Sequence, residues 1–398
     1  MWIDTQSVHR AKPGRMGTPG LPYACPVTPA ELSRTVLRSV RGAVEEQELS
    51  VSVPARIVVR PSPRPGCGDY ASNVALQLAK PAGRPAREVA EILRKRLAGS
   101  PGIARVEIAG PGFLNFTLGD EAQIALVRDV LAQGDRYGDR SAPRTHGGRS
   151  ARTAEAGSVD GSAPADGALA GSDAREVVVA EALARIEAAA GAPARSCAPP
   201  VPHPPDLVAL LARLGSDEAR WVLLRPAAHD PVRVPERPVQ RESNPRFRVQ
   251  YAHARARALL RNAGELGFSG EPGDVGLPVA EGASGVPYEA ARRFGSGEPA
   301  GTQAAPAGRT LQGLLTLLAT YPSAVEAAAR LRAPDRVVRH LEATADAFFR
   351  WHDDFPPLPV GEQKPLAVHR ARLALAEAAG TVLANGLRLL GISAPEYL

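Results

Sequence analysis

Between Ser141 and Arg175 the chain carries two large apolar residues, Val159 and Leu169, in a run of Gly, Ala, Ser, Asp and Arg. Such a stretch cannot bury enough surface to offset the entropy of ordering it. The 398 residues are therefore divided into two separately patterned parts. We read 136–204 as a low-complexity linker in which only Glu176–Ala190 is patterned as a helix, and 1–27 as a disordered tail of Pro, Gly and Arg without periodicity.

The part before the linker, 28–135, reads as a small α+β domain. Thr28-Pro29-Ala30-Glu31 is a capping residue, a first-turn proline and an acid at the third helical position, so a helix starts at Thr28. Arg56–Arg60 reads as a strand. Asn73–Lys80 and Pro85–Leu97 read as helices, Val106–Ile108 and Phe113–Leu118 as strands around the turn Gly110-Pro111-Gly112, and Glu121–Leu131 as a closing helix. Strand alternation puts Phe113 and Asn115 on one face and Leu114 and Phe116 on the other, which leaves Phe113 and Asn115 as an exposed pair. Asp69 and Asn73 are expected to cap the helix that follows them.

The part after the linker is helical. Aromatic residues are 5% of the chain, so its cores must be built from Leu, Val and Ala. Asp206–Leu214 and Ser216–Leu224 form a short pair within 205–240, and 241–398 is a bundle. Its helices are Asn244–Leu266, Thr310–Thr320, Ser323–Leu331, Pro334–His352 and Pro365–Leu390, the last capped by Gly391, with a loose insertion at 267–309.

The charge is mostly arginine: four of the 48 basic side chains are lysine, and the net charge is +6. This suits an anionic partner such as RNA, but the charge taken alone is better explained by a GC-rich coding sequence. Cys25, Cys67 and Cys197 lie far apart and offer no disulfide framework or metal site. The longest apolar stretch, Leu311–Tyr321, is too short to span a membrane, and no secretory signal is visible at the N-terminus, so a soluble, cytoplasmic protein without membrane partners is expected.

Two blocks of sequence resemble the arginine–tRNA ligase (arginyl-tRNA synthetase) family. Gly68-Asp69-Tyr70-Ala71-Ser72-Asn73 and Gly110-Pro111-Gly112-Phe113-Leu114-Asn115-Phe116 are similar to its N-terminal additional domain. Val249-Gln250-Tyr251-Ala252-His253-Ala254-Arg255 and Leu383-Ala384-Asn385-Gly386-Leu387-Arg388, running on to Glu396, are similar to its DALR-type anticodon-binding bundle. The segment from Asp206 to Arg225 resembles the end of the catalytic domain that leads into that bundle. The resemblance implies an α+β N-terminal domain and an all-α anticodon-binding bundle joined by a disordered linker, with no Rossmann catalytic domain between them.

Class I ligases hold ATP with a His-x-Gly-His motif, which needs two histidines three residues apart. The nearest histidines here, His340 and His352, are 12 apart. A Lys-Met-Ser-Lys-Ser loop needs two lysines three apart, and no two lysines are closer than Lys80 and Lys95. No catalytic, metal or cofactor residue is assigned.

The resemblance places Phe113 and Asn115 where the family stacks on and hydrogen-bonds a D-loop base, a usual way of reading unpaired RNA. It places Gln250, Tyr251 and Arg255 in the anticodon cleft and Tyr397 near its wall. Tyr251 either stacks on a base while Arg255 meets phosphate, or packs in the bundle while Arg255 pairs with an acid. A lone histidine such as His253 is more often structural than a ligand. Arg246 and Arg248 stand where the family usually carries apolar or aromatic residues.

The expectation is a monomeric tRNA-binding protein that contacts D-loop and anticodon arm without aminoacylation of its own, with avidity set by linker reach. It needs no cofactor. The alternatives are a diverged arginine–tRNA ligase, for which ATP would be the cofactor, and a protein-interaction adaptor with a protein partner.

Overall fold

The computed structural model describes residues 28–62, 67–140, 174–192, 203–237, 241, 243–276 and 306–398. The tail at 1–27, the greater part of the expected linker and most of the loose insertion lie outside the described residues.

The N-terminal region is α+β. It runs α1 (Pro29–Glu45), β1 (Val59–Pro61), β2 (Tyr70–Ser72), α2 (Val74–Ala82), α3 (Ala86–Leu97), β3 (Ile103–Ala109), β4 (Phe113–Leu118) and α4 (Asp120–Gln133). The Thr28 capping box forms: the Thr28 hydroxyl accepts from the Glu31 N–H at 3.3 Å, and the Thr28 N–H donates to the Glu31 carboxylate at 3.1 Å. The strands make one antiparallel sheet in the order β1-β2-β4-β3. Its inner face, with Val59, Tyr70, Leu114 and Phe116, packs in one core with Leu32, Val36 and Val40 of α1 and Val89, Leu93 and Leu97 of α3.

β2 was not expected, and at three residues it is too short for alternation to reveal. Gly112, at φ 143°, closes the β3–β4 turn onto α3, where a Cβ would stand 3.0 Å from Ala86. Asp69 does not cap α2. Its carboxylate accepts the Leu118 N–H at 2.7 Å and ties the start of β2 to the end of β4. Asn73 sits at the N-cap of α2 without a side-chain capping bond.

The C-terminal region is helical: α5 (Ala174–Ala189), α6 (Pro205–Leu214), α7 (Ser216–Leu224), α8 (Pro245–Glu265), α9 (Pro306–Leu331), α10 (Asp335–Asp354) and α11 (Ala367–Leu390). α5 lies inside the span expected as linker, yet Val178, Ala182 and Ile186 are buried in the bundle core. α11 is the central helix and ends on Gly391 in the left-handed conformation. It is long and apolar enough to cross a membrane, but most of it is buried inside the bundle.

The helix expected to break near Tyr321 continues through Pro322 as the single helix α9. A proline inside a helix lacks the N–H that would bond four residues back. Here the carbonyl so released, that of Leu318, accepts the Tyr137 hydroxyl at 2.9 Å, and the neighbouring Leu317 carbonyl accepts His340 Nε2 at 3.1 Å.

The two regions are packed together rather than spaced apart. Leu126, Val127 and Val130 of α4, with Tyr137, belong to the bundle core. The Asn385 amide of α11 donates to the Gly134 and Tyr137 carbonyls at 2.9 and 3.2 Å. Gly138, at φ 88°, lets the chain pass against the Tyr321 ring, where any Cβ would clash. The expectation that linker reach sets the spacing of the two regions is therefore corrected: buried apolar surface sets it.

Candidate nucleic-acid interface

The sheet turns its outer face away from α1 and α3. Strand register lines up Arg60, Ala71, Asn115 and Glu107 across it, with Phe113 opposite Ala109 in the next row. Phe113 is 41% exposed, as the alternation implied. Asn115 is 8% exposed, which corrects the expectation of an exposed pair. β4 is an inner strand, so the Asn115 side chain sits between Ala71 and Glu107 and is shaded by both. Its amide makes no hydrogen bond among the described residues, and neither polar atom is sealed from solvent. A ring edge and an unspent amide thus stand two residues apart on one strand.

Three sides of α8 have three tasks. One side, with Val249, Ala252, Ala256 and Leu259, faces the core. A second holds the C-terminal residues. Gln250 donates to the Ser393 carbonyl and the Asp217 carboxylate, both at 2.9 Å, and accepts from Arg246, which pairs with Glu218. His253 Nδ1 donates to the Pro395 carbonyl at 2.9 Å, and burial pushes its imidazole below the usual histidine range. Arg257 pairs with Glu396 at 2.7 Å, and the Arg261 guanidinium lies 4.0 Å over the Tyr397 ring.

Gln250, expected in an RNA site, is 1% exposed, and both ends of its amide are bonded within the protein. A buried amide must have its bonds made within the protein, and here the partners come from α7 and the chain end. Arg246 is likewise buried in an ion pair rather than solvated. Tyr397 is 71% exposed, with Arg261 on one ring face.

The third side of α8 is open. Phe247, Tyr251 and Phe349 of α10 form a half-buried aromatic column, with Tyr251 at 6.0 and 5.5 Å from its neighbours. Arg248 covers Phe349 at 5.2 Å and pairs with Asp346 at 2.6 Å. Arg255, one turn beyond Tyr251, is exposed and has no ion pair or hydrogen bond among the described residues. It stands near His352, whose pKa is lowered by burial first and by the Arg255 charge second. Of the two alternatives at Tyr251, the ring packs on Phe247 and Phe349, while Arg255 has no acidic partner among the described residues.

Phe247 and Phe349 were not among the site residues expected from the sequence. The spacing of Phe247 four before Tyr251 was the available signal, but Phe349 comes from another helix. Among the described residues no His, Cys, Asp and Glu side chains gather into a metal-binding group.

The site thus lies on an α+β module with an open sheet face, packed on a helical bundle with a basic and aromatic helix side. Residues 34–118 match the family model of the arginyl tRNA synthetase N terminal domain, and 301–398 match that of the DALR anticodon binding domain. The chain is 39% identical to arginine–tRNA ligase of Paenarthrobacter aurescens over 195 residues, which is 48% of this chain and 30% of that protein. Against the Frankia alni ligase it is 44% identical over 165 residues, 42% of this chain and 28% of the relative. In these alignments the chain spans less than a third of each relative's length.

With the Renibacterium salmoninarum ligase the match is 27% over 577 positions, covering 94% of this chain and all of the relative. The Thermus thermophilus arginyl-tRNA synthetase structure has the same fold at a TM-score of 0.54, with 14% identity, over 93% of this chain and 100% of that one. The chain belongs to the arginine–tRNA ligase family and carries its N-terminal and DALR anticodon-binding domains.

Proposed function

We propose that this protein binds tRNA, with the D-loop on the outer sheet face at Phe113 and Asn115 and the anticodon arm on the open side of α8, and that it does not itself aminoacylate. The observation that carries this reading is Arg255: an unpaired, exposed guanidinium one turn from a half-buried aromatic column. Arginine meets phosphate while aromatic rings meet unstacked bases. Tyr397 supplies a further ring whose second face is free.

Three features support the absence of amino-acid activation. Neither the histidine nor the lysine spacing that clamps ATP occurs in the 398 residues. The alignment of 577 positions with the Renibacterium ligase exceeds this chain's 398 residues by 179, so at least that many positions face gaps here. The sequence between the two regions has the composition of a linker over Ser141–Arg175 rather than of a nucleotide-binding sheet. The protein acts as a monomer in this reading.

The same alignment favours a second reading, a diverged arginine–tRNA ligase, because it reaches both ends of a full ligase. Arginine-dependent ATP–pyrophosphate exchange separates the two. The first reading expects none from the pure protein, and exchange above an arginine-free control would replace it with the second.

A further inference from the structure

Beside the open side of α8 lies a cleft of about 920 Å³, bounded by α7, the loop 226–237, the start of α8 and α10. Its walls include Trp221, Val234 and Pro245, and its charged groups are unevenly engaged. Glu342 is paired with Arg225 at 2.7 Å, and Glu218 with Arg246. Arg233 and Arg237 are exposed and have neither an ion pair nor a hydrogen bond among the described residues. Trp221 is 1% exposed, and its indole N–H has no acceptor. Arg233 and Arg237 are thus donors on the cleft wall that the protein leaves unused, and acceptor oxygens of a ligand would suit them.

The cleft is not isolated. A smaller hollow of about 430 Å³ shares Arg225, Ser243, Pro245 and Glu342 with it and ends at Arg248 and Asp346. Arg248 covers Phe349, whose ring stacks on Tyr251. A continuous groove thus leads from the aromatic column to the two unpaired arginines.

We propose that this groove carries the RNA strand onward from the α8 contact, with Arg233 and Arg237 holding a backbone phosphate in the cleft. The assignment rests on the tRNA-binding reading above. An acidic peptide would satisfy the same two arginines, but it would make no use of the path to the aromatic column, so RNA is the occupant the geometry favours.

The test is the salt dependence of tRNA binding for the intact protein, for Arg233→Ala with Arg237→Ala, and for Arg255→Ala. Each lost phosphate contact lowers the slope of log affinity against log salt by roughly 0.7–0.9. The double variant is expected to lose about 1.5 from the slope and to bind about tenfold more weakly at low salt, with its circular dichroism unchanged because both side chains are exposed. Photocrosslinking from p-benzoylphenylalanine placed at Val234 is expected to label the RNA. An unaltered slope in the double variant, beside a reduced slope in Arg255→Ala, would overturn the cleft assignment and leave the tRNA reading standing. Binding of a glutamate-rich peptide that the double variant loses, with the tRNA slope unaltered, would assign the cleft to a protein partner and overturn it as well. Failure of the intact protein to bind tRNA would remove both.

Discussion

The Tyr137 hydroxyl donates to the Leu318 carbonyl, the group that Pro322 leaves without its helical donor. Tyr137 follows the last helix of the N-terminal region, and Leu318 sits in the middle of α9, so one hydrogen bond both mends a helix and joins two regions. The Tyr137 ring also stacks on Tyr321 at 6.1 Å, and burial pushes its phenol well above the usual range, keeping the hydroxyl a donor. Tyr137→Phe keeps the ring and removes the donor. The orphaned carbonyl is expected to cost about 1–3 kcal/mol, read as a lower midpoint in urea unfolding.

One residue before Leu318, the Leu317 carbonyl accepts from His340 Nε2, which therefore carries a proton. Burial pushes the His340 pKa down to about 4 from an ordinary 6.5. A depressed histidine binds its proton more readily unfolded than folded, so its contribution is complete above about pH 6.5 and is lost as the pH falls towards 4. That loss reaches about 3 kcal/mol at the acid end. Unfolding free energy measured between pH 7 and 4 is expected to fall by that order more in the natural protein than in His340→Gln.

Gln250 and Arg255 lie five residues apart on α8 and are expected to respond in opposite ways. Gln250→Ala removes one partner each from Arg246, Asp217 and the Ser393 carbonyl in a buried network and is expected to destabilise the fold by about 1–3 kcal/mol. Arg255→Ala removes an exposed, unpaired side chain, so the melting temperature should hold while tRNA affinity falls and the salt slope drops by about one contact. Calorimetry and filter binding on the two variants check the pair together.

On the sheet face, Phe113→Ala is expected to weaken tRNA binding by about 1–3 kcal/mol if the ring carries one stacked base. Asn115→Ala is expected to act only where the D-loop base presents a hydrogen-bonding edge, and to lose its effect on tRNA with that base removed. Competition between the two tRNAs reads this directly.

Local chemistry made much of the fold legible. The Thr28 capping box, α3, β4, α7, α8 and the Gly391 cap all follow from nearby residues. What stayed hidden depended on partners far along the chain. Pro322 reads as a break because nothing nearby announces Tyr137 as the replacement donor to the Leu318 carbonyl. The burial of Gln250 was not legible because its partners Asp217 and Ser393 are distant in sequence. Asn115 reads as exposed because alternation gives a side chain's face but not its place on an inner strand. α5 was legible as a helix, but its packing in the bundle core was not, since its neighbours in sequence are linker-like.

The central claim is that the two regions, packed together through α4, Tyr137 and Asn385, hold a tRNA at two places. Its most direct test is the affinity of the intact protein for a whole tRNA transcript against that for the isolated anticodon stem-loop, at the same salt concentration. Two-point attachment predicts that the whole tRNA binds on the order of a hundredfold tighter, and that Asn115→Ala with Phe113→Ala removes most of this advantage. Equal affinity for the two RNAs, or an advantage untouched by those substitutions, would contradict it.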